Sequence, residues 1–287
     1  MCYAEAVGIL DLGKRVSRYA WRIPMVGQLL QRDYERSFAR RPVNRFRGVY
    51  ASFAEAEASL PPDARVGYDH AELAEMYRQR MGKANQSDYA VLFWLKGILD
   101  EHSFVFDSGG HVGISYHGWR NYLDYRPGMR WLVHDVPAIV KVGAELARGR
   151  PSAGLAFTSD VGDARGCTIF LAAGSLQYVD ESLPALLVRI GPLPRHLIVN
   201  KMPMYDGDAF VTVQSTGRAF HPYRIYNRAA FVAEVTALGY RVVDDWSNRE
   251  QHCEIPFTRG RDIDAYSGYY FARDEAPDPR GPWFPEA

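Results

Sequence analysis

The chain has 287 residues, 47% hydrophobic and 24% charged, with Lys plus Arg equal to Asp plus Glu at 34 each. That length suits one sizeable α/β domain with an extension, or two small domains, and the balanced charge gives no broad electrostatic case for nucleic acid or an anionic membrane as partner. Three scattered cysteines, Cys2, Cys167 and Cys253, fit reduced thiols in a cytoplasmic protein; no Cys-x-x-Cys or His-x-x-x-His pair marks a metal site, no run of about 18 apolar residues forms an integral membrane span, and Glu5, Asp11 and Lys14 break any signal-peptide core.

Residues 1 to 41 read as helical, with Val7, Ile9, Leu10, Leu12, Val16, Tyr19 and Trp21 among charges, then Met25, Leu29 and Leu30 after a break at Pro24. Arg32, Arg36, Arg40, Arg41, Arg45 and Arg47 give a local positive bias, a solvated face or a basic patch. The segment Phe46 to Ala56 reads as a turn into a helix that Ser52 caps, with Glu55 reaching back. Pro61 and Pro62 close it. Ala71 to Met81 is expected to be a second helix and Asp88 to Leu99 a third, apolar on most of its surface and therefore buried. No strand is expected before Phe104. Residues 1–99 are thus expected to be a helical N-terminal extension, acting as lid, substrate cap or dimer arm, the last implying a homo-oligomer through these helices; residues 100–287 are the main domain.

Strand and helix signals alternate from Phe104 onward. Phe104 to Phe106 is a short buried strand ended by Asp107, and Gly109, Gly110 and Gly113 leave a turn with little side-chain bulk, so backbone can approach a ligand and the next helix, from about 114, can pack close. Taken alone, a glycine-rich turn is more often just a turn. Beyond it, however, Trp131-Leu132-Val133-His134 forms a second strand closed by Asp135, the place where dinucleotide folds put an acid on ribose hydroxyls. A helix over 137–148 follows, then strands at 154–158 and 167–173, a helix at 180–190, and a strand at 197–200. Helix 231–238 stops at Gly239, and strands at 240–244 and 268–272 close the series. The fold class is α/β: a Rossmann-like, seven-stranded, mostly parallel sheet with helices on both faces, plus the N-terminal helical extension.

This pattern resembles a class I S-adenosylmethionine-dependent methyltransferase over about residues 100 to 275. It is more closely similar to a bacterial family of methyltransferase-like proteins often associated with surface-polysaccharide synthesis. The likeness rests on Phe46-Arg47-Gly48-Val49-Tyr50-x-Ser52-Phe53, on Asp107-x-Gly109-Gly110-x-x-Gly113, and on Ser175-Leu176-Gln177-Tyr178. Asp135-Val136-Pro137 is also similar to the Asp-Leu-Pro of many small-molecule O-methyltransferases. The resemblance implies a last strand inserted antiparallel and S-adenosyl-L-methionine as cofactor. The usual motif of the class is Asp-x-Gly-x-Gly-x-Gly, and His111 departs from it at the middle glycine. A side chain there would crowd the methionine portion unless the loop shifts course, with Gly110 supplying room.

On this resemblance Asp107, Gly109, Gly110 and Gly113 border the methionine and ribose portions, Asp135 binds the ribose hydroxyls, and Asp160, with Asp163 as rival, meets the adenine amino group. Ser175 lies with them at the carboxyl edge of the fourth strand, where open parallel sheets bind ligands. Gln177 and Tyr178 are candidate acceptor contacts. Imidazole titrates near neutrality, so His221, in the segment Gly217 to Asn227, is the preferred base, with His117, Tyr223, Tyr226 and Asn227 around the acceptor. The acceptor expected is a small molecule or carbohydrate, methylated at oxygen. A nicotinamide-dependent oxidoreductase shares the strand, glycine turn and ribose acid, but lacks a clean Gly-x-Gly-x-x-Gly here; a non-catalytic scaffold keeps the fold alone.

Overall fold

The computed structural model describes residues 24–38, 44–61, 64, 82, 84–149, 154–217 and 219–273. The helix expected at 71–81, the helical run through Val7 to Trp21, and Arg40 and Arg41 lie outside the described residues.

The first described elements are α1 (Pro24–Ser37), β1 (Arg45–Tyr50), α2 (Phe53–Ala58) and, after a single 3-10 turn at Gln86–Asp88, α3 (Tyr89–Ile98). Then come β2 (Phe104–Ser108), α4 (Ile114–Trp119), β3 (Arg130–His134), α5 (Pro137–Arg148), β4 (Leu155–Thr158), β5 (Ile169–Ala173), α6 (Leu183–Ile190) and β6 (His196–Met202). The chain continues through β7 (Met204–Tyr205), β8 (Phe210–Ser215), β9 (Phe220–Asn227), α7 (Arg228–Thr236), β10 (Tyr240–Asn248) and β11 (Tyr266–Arg273).

Seven strands make the main sheet, in the order β10-β11-β6-β5-β2-β3-β4. The pairs among β6, β5, β2, β3 and β4 are parallel, while β11 runs antiparallel to both β6 and β10. The antiparallel final strand is the one the resemblance implies. Its central strands are buried on both faces, which is why they read as unbroken apolar runs. Phe104, Phe106, Phe170, Leu197 and Val199 pack with α6 and α7 on one side, and Val105, Trp131, Val133, Ile169 and Leu171 pack with α3 and α4 on the other. Asp107 shares the second face, two residues beyond Val105.

Two expectations need correction. Residues 45–50 are a strand, paired antiparallel with β8 in a second sheet of order β1-β8-β9-β7. The segment 217–227, read as a connection, is largely β9, hairpinned to β8 with Phe220 opposite Ser215. This sheet is covered by Phe38, Phe53 and Ala56 on one face, and by Cys253, Ile255, Ile263 and Tyr266 on the other. The cap at Ser52 is present: its hydroxyl accepts the Glu55 N–H at 3.1 Å, and the Glu55 carboxylate accepts from Ala51 N–H at 2.9 Å. Helix α3 buries Val91, Leu92, Trp94 and Leu95 but leaves Tyr89 and Phe93 exposed, so it is amphipathic rather than enclosed all round.

Candidate functional site

Because the sheet is parallel from β4 to β6, the carboxyl ends of its strands lie along one edge. From β4 across to β6 that edge carries Asp160, Asp135, Asp107, Ser175 with Gln177, and Lys201. The residues expected to hold a cofactor are therefore brought together.

Asp107, the penultimate residue of β2, is buried with 1% exposure. Its Oδ2 accepts the indole N–H of Trp131 at 3.2 Å, and its Oδ1 is buried without a hydrogen-bond partner. Burial pushes this carboxyl up to about 7, against the Trp131 hydrogen bond; nearby Asp135 raises it further and Lys201 lowers it. A Cβ at Gly110 would stand 2.5 Å from the Asp107 carboxyl carbon, so the bare Cα there makes room for the carboxylate. Gly109, at φ +70°, does the same for Ser175, whose Cβ a side chain at 109 would meet at 2.2 Å. The room expected at Gly110 for a ligand is thus taken by Asp107. Gly113, at φ +83°, opens α4 beside His117 and Phe157.

His111 adopts φ +58°, the left-handed backbone of the glycine it stands in for, and its imidazole is buried. Its N–H donates to Asp135 Oδ2 at 2.9 Å, while Asp135 Oδ1 accepts from Val136 N–H at 2.8 Å. Asp135 is half-buried and holds the glycine turn to the end of β3. Four further amides are engaged inside the protein: Gly109 N–H donates to His134 O, Gly110 N–H to Asp107 O, and Gly113 and Ile114 N–H to Gly110 O.

Asp160 and Asp163 are exposed beyond β4. Asp160 caps the 3-10 turn at 161–164 by accepting Gly162 N–H at 2.8 Å, and Asp163 accepts the Thr158 hydroxyl at 2.6 Å. The Ser175 hydroxyl donates to Ser108 O, tying β5 to the glycine turn. Gln177 is buried, donating Nε2–H to Gly174 O at 2.9 Å; its Oε1 is buried without a hydrogen-bond partner.

The acceptor candidates farther along belong to the second sheet. His221 has 1% exposure, and its ring meets Tyr178 edge-on at 5.8 Å between centroids. Tyr178 donates its hydroxyl to Gln214 Oε1 at 3.0 Å. Tyr223 and Tyr266 share a hydroxyl hydrogen bond at 2.7 Å, and burial holds the Tyr223 phenol well above its ordinary range. Tyr226 donates to Leu176 O at 2.8 Å, and Asn227 caps α7 by accepting Ala230 N–H. These groups fasten the turn after β5 to β9. His117 lies half-buried on α4.

Sequence reasoning missed Lys201 and Asp88. The Lys201 ammonium stands 2.8 Å from Asp88 Oδ1, and both side chains are largely enclosed. The available signal was a lysine closing the fifth strand of a parallel sheet, at the same edge as the glycine turn. Among the described residues no group of three or more His, Cys, Asp or Glu is placed to hold a metal ion, and no helix is long and apolar enough to cross a membrane.

No family model matches the chain, and no curated protein does. Among solved structures, the chain is similar to the magnesium protoporphyrin IX methyltransferase of Synechocystis with bound SAH, at 15% identity over 70% of this chain and 94% of that one, TM-score 0.46. It is similar to the Burkholderia thailandensis 1,6-didemethyltoxoflavin-N1-methyltransferase at 18% identity, 74% and 93% coverage and TM-score 0.42. An S-adenosylmethionine-dependent methyltransferase from Clostridium acetobutylicum matches at 11% identity, 70% and 98% coverage and TM-score 0.46.

Proposed function

We propose that this chain is an S-adenosylmethionine-dependent methyltransferase acting at an oxygen of a small-molecule or carbohydrate acceptor. The observation that carries the reading is Asp107: a buried carboxylate with one oxygen unpartnered, at a glycine turn whose Gly109, Gly110, His111 and Gly113 amides are engaged internally. Buried acceptors without partners are rare and costly, and this one suits the ammonium of an amino-acid moiety. A dinucleotide's pyrophosphate needs N–H donors at the turn. The turn carries the Asp107 carboxylate instead, which favours the cationic cofactor over a nicotinamide dinucleotide.

In this reading Asp107 holds the amino group, Asp135 and Asp160 hold the ribose and adenine, and Ser175 keeps the turn in place. S-adenosylmethionine, when bound, would supply a methyl group on a sulfonium, a donor activated by its own charge. The chain's own contribution is alignment, which supplies much of such a rate enhancement. With adenosine toward β3 and β4, the acceptor belongs on the β5 and β6 side, before Gln177. His221, Tyr178, Tyr223, Tyr226 and Asn227 then shape or support that side, while His117 lies by the glycine turn and Phe157; residues 100–287 form the catalytic domain, and residues 1–99 are an N-terminal extension whose last helix, α3, packs on it.

Isothermal titration with S-adenosylhomocysteine and, separately, NADH tests this. Binding of the first and not the second is expected. Binding of NADH alone would overturn the assignment, and binding of neither would favour a scaffold.

A further inference from the structure

Lys201 occupies an unusual place. It is the penultimate residue of β6 and takes φ +57° without being glycine, a strained backbone that persists only where the surroundings over-determine it. The surroundings do so here. Asp88 Oδ2 accepts the backbone and side-chain N–H groups of Asn85 at 2.9 and 3.2 Å, leaving Oδ1 for the lysine at 2.8 Å. The neighbouring Asn200 donates to Ser87 O at 2.9 Å and accepts from Trp246 Nε1 at 3.0 Å, so segment 85–88 is locked onto the end of β6.

The aliphatic stem crosses Gly174, where an added Cβ would sit 3.4 Å from Lys201 Cβ, 3.6 Å from its Cδ and 3.8 Å from Gln177 Nε2. The ammonium stands within electrostatic reach of Asp107, at the β5 and β6 end of the edge, and its stem and Gln177 flank the same glycine. A lysine carries three donors, and the contact with Asp88 is an ion pair to a single carboxylate oxygen.

From this constellation, and resting on the methyltransferase reading, we propose that Lys201, positioned by Asp88, binds an anionic oxygen of the acceptor, so that the acceptor is an acid, free or as an acidic sugar, rather than a neutral alcohol. A second cation beside a sulfonium is repulsive unless anions are interleaved; Asp88 supplies one and the acceptor the other. An ionised oxygen already presents its lone pair, so no proton has to be removed at the transfer. Gln177 Oε1 remains for a donor group of the same molecule.

The test uses the full chain saturated with S-adenosylhomocysteine and two matched pairs of probes, benzoate against benzamide and D-glucuronate against D-glucose, followed by ligand-observed NMR at millimolar concentrations. At least one acid should bind tighter than its neutral partner by about tenfold or more. Lys201→Met alone would strand the buried Asp88, so the comparison is Lys201→Met combined with Asp88→Asn, checked by its melting curve and by titration to S-adenosylhomocysteine saturation before the probes are added. That variant should lose the acid preference, and Lys201→Arg should retain part of it. A merely structural pair would change the melting temperature and leave the acid-to-neutral ratio alone. Equal binding of acid and neutral probes, no binding of either acid, or a preference surviving in the double variant overturns the proposal while the cofactor titration still stands. Failure of wild-type chain to bind S-adenosylhomocysteine removes both.

Discussion

Trp131 donates its indole N–H to Asp107 Oδ2 across two paired strands, and in doing so it leaves Oδ1 as a buried acceptor facing no protein donor. A core that sets a carboxylate this way sacrifices stability at a site meant for something else.

Asp107→Asn should therefore stabilise the free protein. A carboxyl raised from about 4 unfolded to about 7 folded binds its proton more tightly in the folded state. Its contribution is thus favourable below about pH 4 and is lost as pH rises to about 7. At pH 8 the amide, which still offers a carbonyl to Trp131, should gain about 2–4 kcal/mol in denaturant unfolding. Calorimetry on the same variant should find S-adenosylhomocysteine binding greatly weakened.

Affinity for S-adenosylhomocysteine should itself depend on pH. If Oδ1 holds the ammonium as carboxylate, binding lowers the Asp107 pKa and releases a proton below neutrality. Affinity then falls by up to about tenfold per unit as pH drops under about 7, and levels off above about 8. A flat profile from pH 5.5 to 8 in titration calorimetry would count against that contact.

Asp135→Ala removes the acceptor of the His111 and Val136 N–H groups. It should weaken cofactor binding by about 1.5–3 kcal/mol, whereas Asp163→Ala, which loses an exposed bond to Thr158, should change it by less than about 0.5 kcal/mol. Unchanged affinity in Asp135→Ala would remove its ribose role.

Two glycines should respond in opposite ways to alanine. Gly110→Ala puts a methyl 2.5 Å from the Asp107 carboxyl carbon and should cost about 1–3 kcal/mol of stability. Gly97→Ala, near the end of α3 with nothing within 4 Å, should add about 0.5–1 kcal/mol. Thermal melts of both variants, read against wild type, check the contrast.

Phe46→Ala probes the second sheet. Phe46 packs on Tyr223 at 5.1 Å between centroids, within the cluster that holds Ile225 and Tyr266. Its loss should cost about 3–5 kcal/mol, measured by urea unfolding; a surface-like cost below about 0.5 kcal/mol would mean that β1 is not seated there.

The main sheet was legible because burial on both faces leaves a mark that needs no partner to interpret. Ile169 to Ala173 and Phe104 to Phe106 are apolar throughout, the first followed by Gly174 and the second by Asp107. The second sheet left a fainter mark. Arg45-Phe46-Arg47-Gly48-Val49-Tyr50 alternates imperfectly around a glycine at φ +77°, and its partner, β8, lies in a distant part of the chain. β9 carries Pro222 and His221, which argue against a strand; the proline is tolerated because β7 reaches only Tyr226 and Asn227, leaving that stretch an edge. In the site, Asp107, Asp135 and the glycines were legible as motif. Lys201 and Asp88 were not, since an ion pair between residues so far apart in sequence has no local periodicity to announce it.

The pairing of β1 with β8 has a consequence for how the chain comes off the ribosome. About 160 residues separate Tyr50 from Phe210, so at typical elongation rates β1 emerges roughly 8–30 s before the strand it pairs with. Throughout that interval the Phe46 ring waits for Tyr223 and the edge of β1 that pairs with β8 stays open, so this early segment presents the nascent chain with an unpaired strand edge of the kind that invites association with other chains.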